Sequence, residues 1–185
     1  LRVVIPAVAV LVGALVIVVI SLSKMASEVN LIEDRLTARS VEAAVRVAVR
    51  NLEQTHRDYA EWDDAVRNAY GVVDESFMNE TFASSTVTPH LFDTAMLVDE
   101  VGRVRYGVHL GERFDDAPAD VFGEAFTILA RQLIRDGLTY DVRSGIVETR
   151  WGLAIVSVGT LVPFSKDFLP RPARSRLLVL GRVFD

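Results

Sequence analysis

The sequence contains no cysteine and only three histidines among its 185 residues. The lack of cysteine excludes disulfide bonds, thiolate metal sites and cysteine nucleophiles. The histidines, His56, His90 and His109, do not show the spacing of metal ligands. We therefore expect the chain to bind neither a metal ion nor a cofactor.

Motifs for catalysis and for nucleic-acid binding are also missing. The sequence has no nucleophile elbow, no phosphate-binding glycine loop and no dinucleotide-binding fingerprint. The net charge is −5 with the two signs interspersed, and no face combines many Lys and Arg with aromatic side chains. We predict that this chain is not an enzyme and does not bind nucleic acid.

One end of the chain supplies much of its hydrophobic content. Residues 3–22 are almost entirely Val, Leu, Ile and Ala, and about 20 apolar residues in a helix span a membrane. A cleaved signal peptide is the alternative, but its apolar core is typically about 7–15 residues and precedes a small-residue cleavage site. We predict a transmembrane helix over residues 1–22 in the cytoplasmic membrane, with the residues after about 23 on the extracytoplasmic side.

Residues 23–57 contain neither proline nor glycine and are mostly good helix formers. Their apolar positions form a stripe that is narrow at first and broader later. This pattern predicts a long stalk helix continuous with the membrane helix. Because a lone, partly polar helix outside a bilayer buries little surface, we expect its first part to pair with a copy of itself as a homodimer. Packing on its own domain alone is the alternative.

From residue 58 onward the pattern changes to short helices and strands. A helix is predicted over Asp58–Ala69 and another over residues 118–135, each from apolar residues at helical spacing. Alternating or continuous apolar runs bounded by turns predict strands. Together these elements indicate an α+β domain, residues 58–185, with an antiparallel five-stranded sheet. The five predicted strands cover residues 95–98, 103–110, 146–148, 153–161 and 177–184.

Residues 58–66, DYAEWDDAV, combine two aromatic side chains with three aspartates. Core packing of the aromatic residues beside solvated carboxylates is the ordinary interpretation. A rigid aromatic wall beside carboxylates can also close a small-ligand pocket. The aspartates point in different directions on a helix, which does not suit calcium. We predict a ligand site that also uses aromatic residues from the hairpin and from a later turn: Asp58, Trp62, Asp63, Tyr106 and Trp151.

The segment DYAEWDDAV after a membrane helix resembles the CHASE type 4 domain, an extracytoplasmic sensory domain of bacterial membrane receptors. Further matches follow in order: LVDEVGRVRYG at 97–107, WGLAIV at 151–156 and LVLGR at 178–182. The resemblance implies a PAS/Cache-like architecture and a module that senses an unknown small molecule. It also implies an output domain outside this chain, either a cyclic-di-GMP enzyme (GGDEF or EAL) or a histidine kinase. We expect a second membrane helix after Asp185.

Two other functions remain open at this point. The domain could dock a partner or a second copy without any small molecule, as a structural or protein-interaction module. An anchored extracytoplasmic enzyme is the other alternative, although no catalytic motif supports it.

Overall fold

The computed structural model describes Lys24 and residues 39–136, 141–168 and 175–184. The chain divides into two compact units, Leu1–Arg46 and Val47–Asp185. In the first unit, residues 39–46 are helical, and Arg46 pairs with Glu42 one turn earlier at 3.1 Å.

The predicted membrane helix, residues 1–22, and most of the first half of the predicted stalk lie outside the described residues. In the parts of the chain that the structure describes, no helix is both long and apolar enough to cross a membrane. All described residues from 39 to 57 are helical. The continuous stalk helix over residues 23–57 stays a prediction.

The second unit is an α+β domain, as predicted, with one antiparallel sheet. Its first helix, α1, covers residues 47–60 of this unit. The remaining helices are α2 (Asp63–Ala69), α3 (Glu75–Met78), which runs into a π-helical turn at Asn79–Ala83, and α4 (Pro118–Asp136). The strands are β1 (Thr94–Val98), β2 (Val104–His109), β3 (Glu112–Arg113), β4 (Val142–Thr149), β5 (Gly152–Thr160) and β6 (Leu177–Val183).

The predicted helix over Asp58–Ala69 is divided between α1 and α2. Glu61 leaves the helix and forms a β-bridge with Val162, and the Val162 amide donates to the Ala60 carbonyl at 2.9 Å. Trp62 has extended backbone angles and precedes α2. A contact with a segment about a hundred residues away therefore breaks the helix, which helical periodicity alone does not reveal.

The sheet has six strands, in the order β3-β2-β1-β6-β5-β4, and every neighbouring pair is antiparallel. The five-strand prediction was therefore wrong by one. The additional strand, β3, has only two residues and pairs with the end of β2. Leu110 and Gly111, both with positive φ, turn the chain back after β2. Two exposed polar residues are too few to show a strand pattern.

The two faces of the sheet pack against different helices because strand side chains alternate between faces. On face A, which includes Leu97 and Ile155, the sheet packs against α1, α2 and the α3 region. On face B, which includes Met96 and Val156, it packs against α4. The core is thus two apolar layers separated by one sheet.

The helix predicted over residues 118–135 is confirmed as α4, but it bends at Gly123. Gly123 has φ 75° and ψ 172°, a conformation that is essentially restricted to glycine. Phe122 and Phe126, on either side of the bend, have ring centroids 4.8 Å apart and are both buried on face B. The bend therefore places two aromatic rings on the sheet.

Candidate functional site

The structure separates the five residues predicted to bind a ligand. Trp62 and Tyr106 belong to the apolar layer on face A, whereas Trp151 packs on face B. Asp58 is exposed on α1 and accepts a hydrogen bond from the Gln54 side chain at 3.0 Å. These residues therefore do not line one common cleft, and their role in ligand binding stays a prediction.

Trp62 and Asp63 lie where α2 begins. The Trp62 ring contacts Phe77 of α3, with ring centroids 5.4 Å apart. Asp63 accepts a hydrogen bond from the Ser165 amide at 2.9 Å and another from the Ser165 hydroxyl. The hydroxyl hydrogen bond is the main reason that the pKa of Asp63 lies below its usual value. These contacts fasten the loop after β5 to α2.

Tyr106 is buried between β2 and α3. Its hydroxyl donates to the Met78 carbonyl at 3.1 Å and lies 2.9 Å from the Asn79 side-chain oxygen. The Arg113 guanidinium lies 3.9 Å from the centre of its ring. Burial raises the pKa of Tyr106, so the hydroxyl is a neutral hydrogen-bond donor. All of these contacts join elements of the fold.

Trp151 stacks on His109, with ring centroids 3.8 Å apart and ring planes 5° from parallel. Arg150 lies 4.5 Å from the Trp151 ring centre and pairs with Asp116 at 2.7 Å. Burial is the main cause that lowers the pKa of His109, and its Nδ1 lies 2.7 Å from the Thr94 hydroxyl. The turn tryptophan thus covers the sheet at one end of face B.

A cavity of about 370 Å³ lies between α4 and the turn that joins β1 to β2. Val98, Glu100 and Val101 line it on the side of the turn. On the α4 side it is lined near the start of the helix by Ala119 and, beyond the bend, by the following residues: Thr127, Ala130, Arg131 and Arg135. The sequence prediction did not include these residues.

The polar groups of the cavity come mainly from one face of α4. Thr127, Arg131 and Arg135 are spaced at four-residue intervals, which places them above one another on a helix. Within the part of the chain that the structure describes, the buried Thr127 hydroxyl has no hydrogen-bond partner. The sequence signal for this site is weak: it is the four-residue spacing of Thr127, Arg131 and Arg135 on an amphipathic helix. The spacing points to a binding site only when the structure shows that the β1–β2 turn faces these residues across a cavity.

No group of three or more His, Asp or Glu among the described residues is arranged to hold a metal ion. The cavity has one acidic residue in its lining, Glu100, and two basic ones. Its chemistry is therefore that of a site for a small polar ligand with an apolar part.

A family model for the CHASE4 domain matches residues 44–185. A search of curated proteins gives no match. The matched residues contain the whole six-stranded sheet, the helices on both of its faces and the cavity beside α4. The chain therefore belongs to the CHASE4 family of extracellular sensory domains.

Proposed function

We propose that this chain is the extracytoplasmic ligand-sensing module of a bacterial transmembrane receptor, and that its ligand occupies the cavity beside α4. The observation that carries the proposal is the cavity itself, which is bounded by two segments distant in the sequence. A ligand in contact with both the β1–β2 turn and α4 would draw these segments together.

The size and lining of the cavity support this role. Small-molecule pockets commonly enclose about 300–1,000 Å³ and combine apolar walls with a few polar groups. The cavity of about 370 Å³ is at the lower end of this range and has both kinds of lining. A small metabolite fits this space better than a peptide or a polymer.

A movement of α4 at the cavity can be transmitted to α1, because both helices pack on the same sheet. The cavity lies on the face B side, and α1 packs on face A of the same sheet. In β5, Ile155 contacts the face A layer and Val156 contacts the face B layer. A ligand that binds one position of α4 more tightly would shift the population of sheet and α1 positions.

In the receptor that we propose, a membrane helix precedes the stalk, and the domain has a PAS/Cache-like architecture. A second copy pairs through the N-terminal helix, and the output is a cyclic-di-GMP enzyme or a histidine kinase outside this chain. Support for these points comes from the apolar residues 3–22, the stalk pattern and membership of a sensory family.

The proposal is tested by thermal unfolding of the full chain in detergent against a library of small metabolites, with tryptophan fluorescence as the signal. The chain has only two tryptophans, Trp62 and Trp151, and both lie in the sensory domain. We expect at least one compound to raise the Tm, because a ligand that binds only the folded state stabilises it.

Two variants locate the binding site. Ala119→Phe should fill the cavity and abolish the Tm increase, whereas Ala43→Phe, at an exposed helical position, should leave it unchanged. Asp58→Ala and Trp62→Ala test the site predicted from the sequence, and we expect both to retain binding. A library without any stabilising compound would favour a module that only docks a partner, and would contradict the proposed function.

A further inference from the structure

We propose that the ligand of the cavity beside α4 is a small organic anion with one carboxylate or phosphate group and a short apolar part. Arg131, Arg135 and the Thr127 hydroxyl hold the anionic group. This inference rests on the proposed function and specifies the chemistry of its ligand.

The two arginines are placed to share one anion. Arg131 and Arg135 are one helical turn apart and both line the cavity. Like charges at this spacing repel each other and destabilise the helix. Within the described residues, neither guanidinium forms an ion pair with a carboxylate. An oxyanion between them relieves the repulsion, and the planar guanidinium fork matches a carboxylate or a phosphate.

The Thr127 hydroxyl supplies a third donor. In a regular helix, a threonine hydroxyl commonly donates to the carbonyl four residues earlier. For Thr127 that residue is Gly123, whose backbone is not helical. Among the described residues this buried hydroxyl has no hydrogen-bond partner, and Thr127 belongs to the cavity lining. Because an unpaired buried hydroxyl is unfavourable, a ligand oxygen that accepts from it contributes to affinity.

The rest of the lining restricts the ligand further. Val98, Val101 and Ala130 present apolar surface, which suits a short hydrocarbon or aromatic group. Glu100 also lines the cavity and already has a polar interaction of its own. Its negative charge repels a second anionic group on the ligand. A ligand with one anionic group should therefore bind better than a ligand of similar size with two such groups.

The test uses butanoate, hexanoate, benzoate and phenyl phosphate, with butanamide, hexanamide and benzamide as uncharged analogues of the carboxylates. Binding to the full chain in detergent is measured by isothermal titration and by the Tm increase. We expect at least one anion to bind, and its amide to bind at least about tenfold more weakly, because each charge-assisted hydrogen bond is worth roughly a factor of ten or more. The carboxylates and the phosphate ester distinguish the two types of anionic group.

Variants at the four polar positions sharpen the test. Arg131→Gln and Arg135→Gln should each weaken anion binding by about tenfold or more, and Thr127→Val by about threefold to tenfold. Glu100→Gln should leave the affinity unchanged or increase it. Arg50→Gln removes the same charge from an exposed site on α1 and should have no effect.

The results separate this inference from the proposed function. If only uncharged compounds bind, and Ala119→Phe abolishes that binding, the cavity is a ligand site and the anion inference is wrong. If anions bind but Arg50→Gln weakens them as much as Arg131→Gln, the attraction is nonspecific and the inference also fails. If nothing in the metabolite library binds, the proposed function fails first.

Discussion

His56 shows how a single residue connects α1 to the sheet. Its side chain is fully buried, and its ring nitrogens have no hydrogen-bond partner in the described part of the chain. Nε2 lies close to Gly159 of β5. Burial lowers the pKa of His56 from 6.5 to about 3, and the nearby Ser157 backbone, which does not meet hydrogen-bond geometry with the ring, opposes part of this shift. The imidazole is therefore neutral in the folded domain near pH 7.

This burial predicts a specific sensitivity to acid. Between pH 6.5 and about 3, the unfolded chain binds a proton at His56 and the folded chain does not. The free energy of unfolding should thus decrease as the pH falls through this range, by up to about 1.4 kcal/mol per pH unit from this group. Above pH 6.5 the contribution is constant.

The measurement is urea unfolding of the full chain in detergent at several pH values for the parent chain and for His56→Leu. Leucine is apolar and leaves no unpaired nitrogen in the core. We expect the variant to lose less stability than the parent between pH 6.5 and 4. If the free energy of unfolding fell equally steeply with decreasing pH in both proteins, His56 would not be the source of the acid sensitivity.

At the scale of elements, the close approach of α1 to β5 is the contact on which the proposed route to the stalk depends. A Cβ atom added at Gly159 would lie 2.9 Å from His56 Nε2 and 3.0 Å from the carbonyl oxygen of Asp141. The absence of a side chain at Gly159 therefore allows α1 and the neighbouring strand to pack this closely.

Gly159→Ala should destabilise the domain by about 1–3 kcal/mol, the usual cost of overpacking a filled core. Gly145→Ala is the matched control, because Gly145 lies on the adjacent strand β4 and has nothing within 4 Å of an added Cβ. Denaturant unfolding of both variants gives the comparison. Equal changes in the free energy of unfolding for the two variants would show that close packing at Gly159 is not the cause of the destabilisation.

The shape of α4 depends on a second glycine, Gly123, at which the helix bends. The bend lies four residues before Thr127, which lines the cavity and whose buried hydroxyl has no hydrogen-bond partner among the described residues. One glycine thus shapes α4 and, in our proposal, also prepares the ligand site.

At the scale of the whole molecule, we propose a homodimer that pairs through the first part of the N-terminal helix and extends this pairing as far as Val47. Val47 is 56% exposed and projects away from the side of the helix that buries Leu52. If the helix of a second copy covered Val47, this exposed apolar side chain would be buried at the dimer interface.

The dimer is tested by cysteine crosslinking in membranes, which is simple because the chain has no cysteine of its own. Val47→Cys should form a disulfide between two copies under mild oxidation. Glu42→Cys is the control, since its side chain is 65% exposed and it lies on a different side of the helix. The absence of a crosslink at residue 47, or equal crosslinking at both positions, would contradict the extension of the pairing to Val47.

Local patterns along the chain were sufficient for most of the elements. The hairpin of β1 and β2, the long helix α4 and the strands β5 and β6 all appear where periodicity predicted them. Each of these helices and strands is formed by residues close together in the sequence, so the spacing of apolar residues within a short segment is enough to predict it. The same segments carry the motifs that resemble the family, and the family model confirms that resemblance.

The sequence alone thus determined the α+β class, most helices and strands, and membership of a sensory family. Only the tertiary structure decided that Tyr106 and Trp151 lie on opposite faces of the sheet and that α1 ends at a bridge to Val162. It also brought Arg131 and Thr127 to the cavity wall opposite Val101. These relations join residues far apart in the chain, and they depend on strand order and packing rather than on local periodicity.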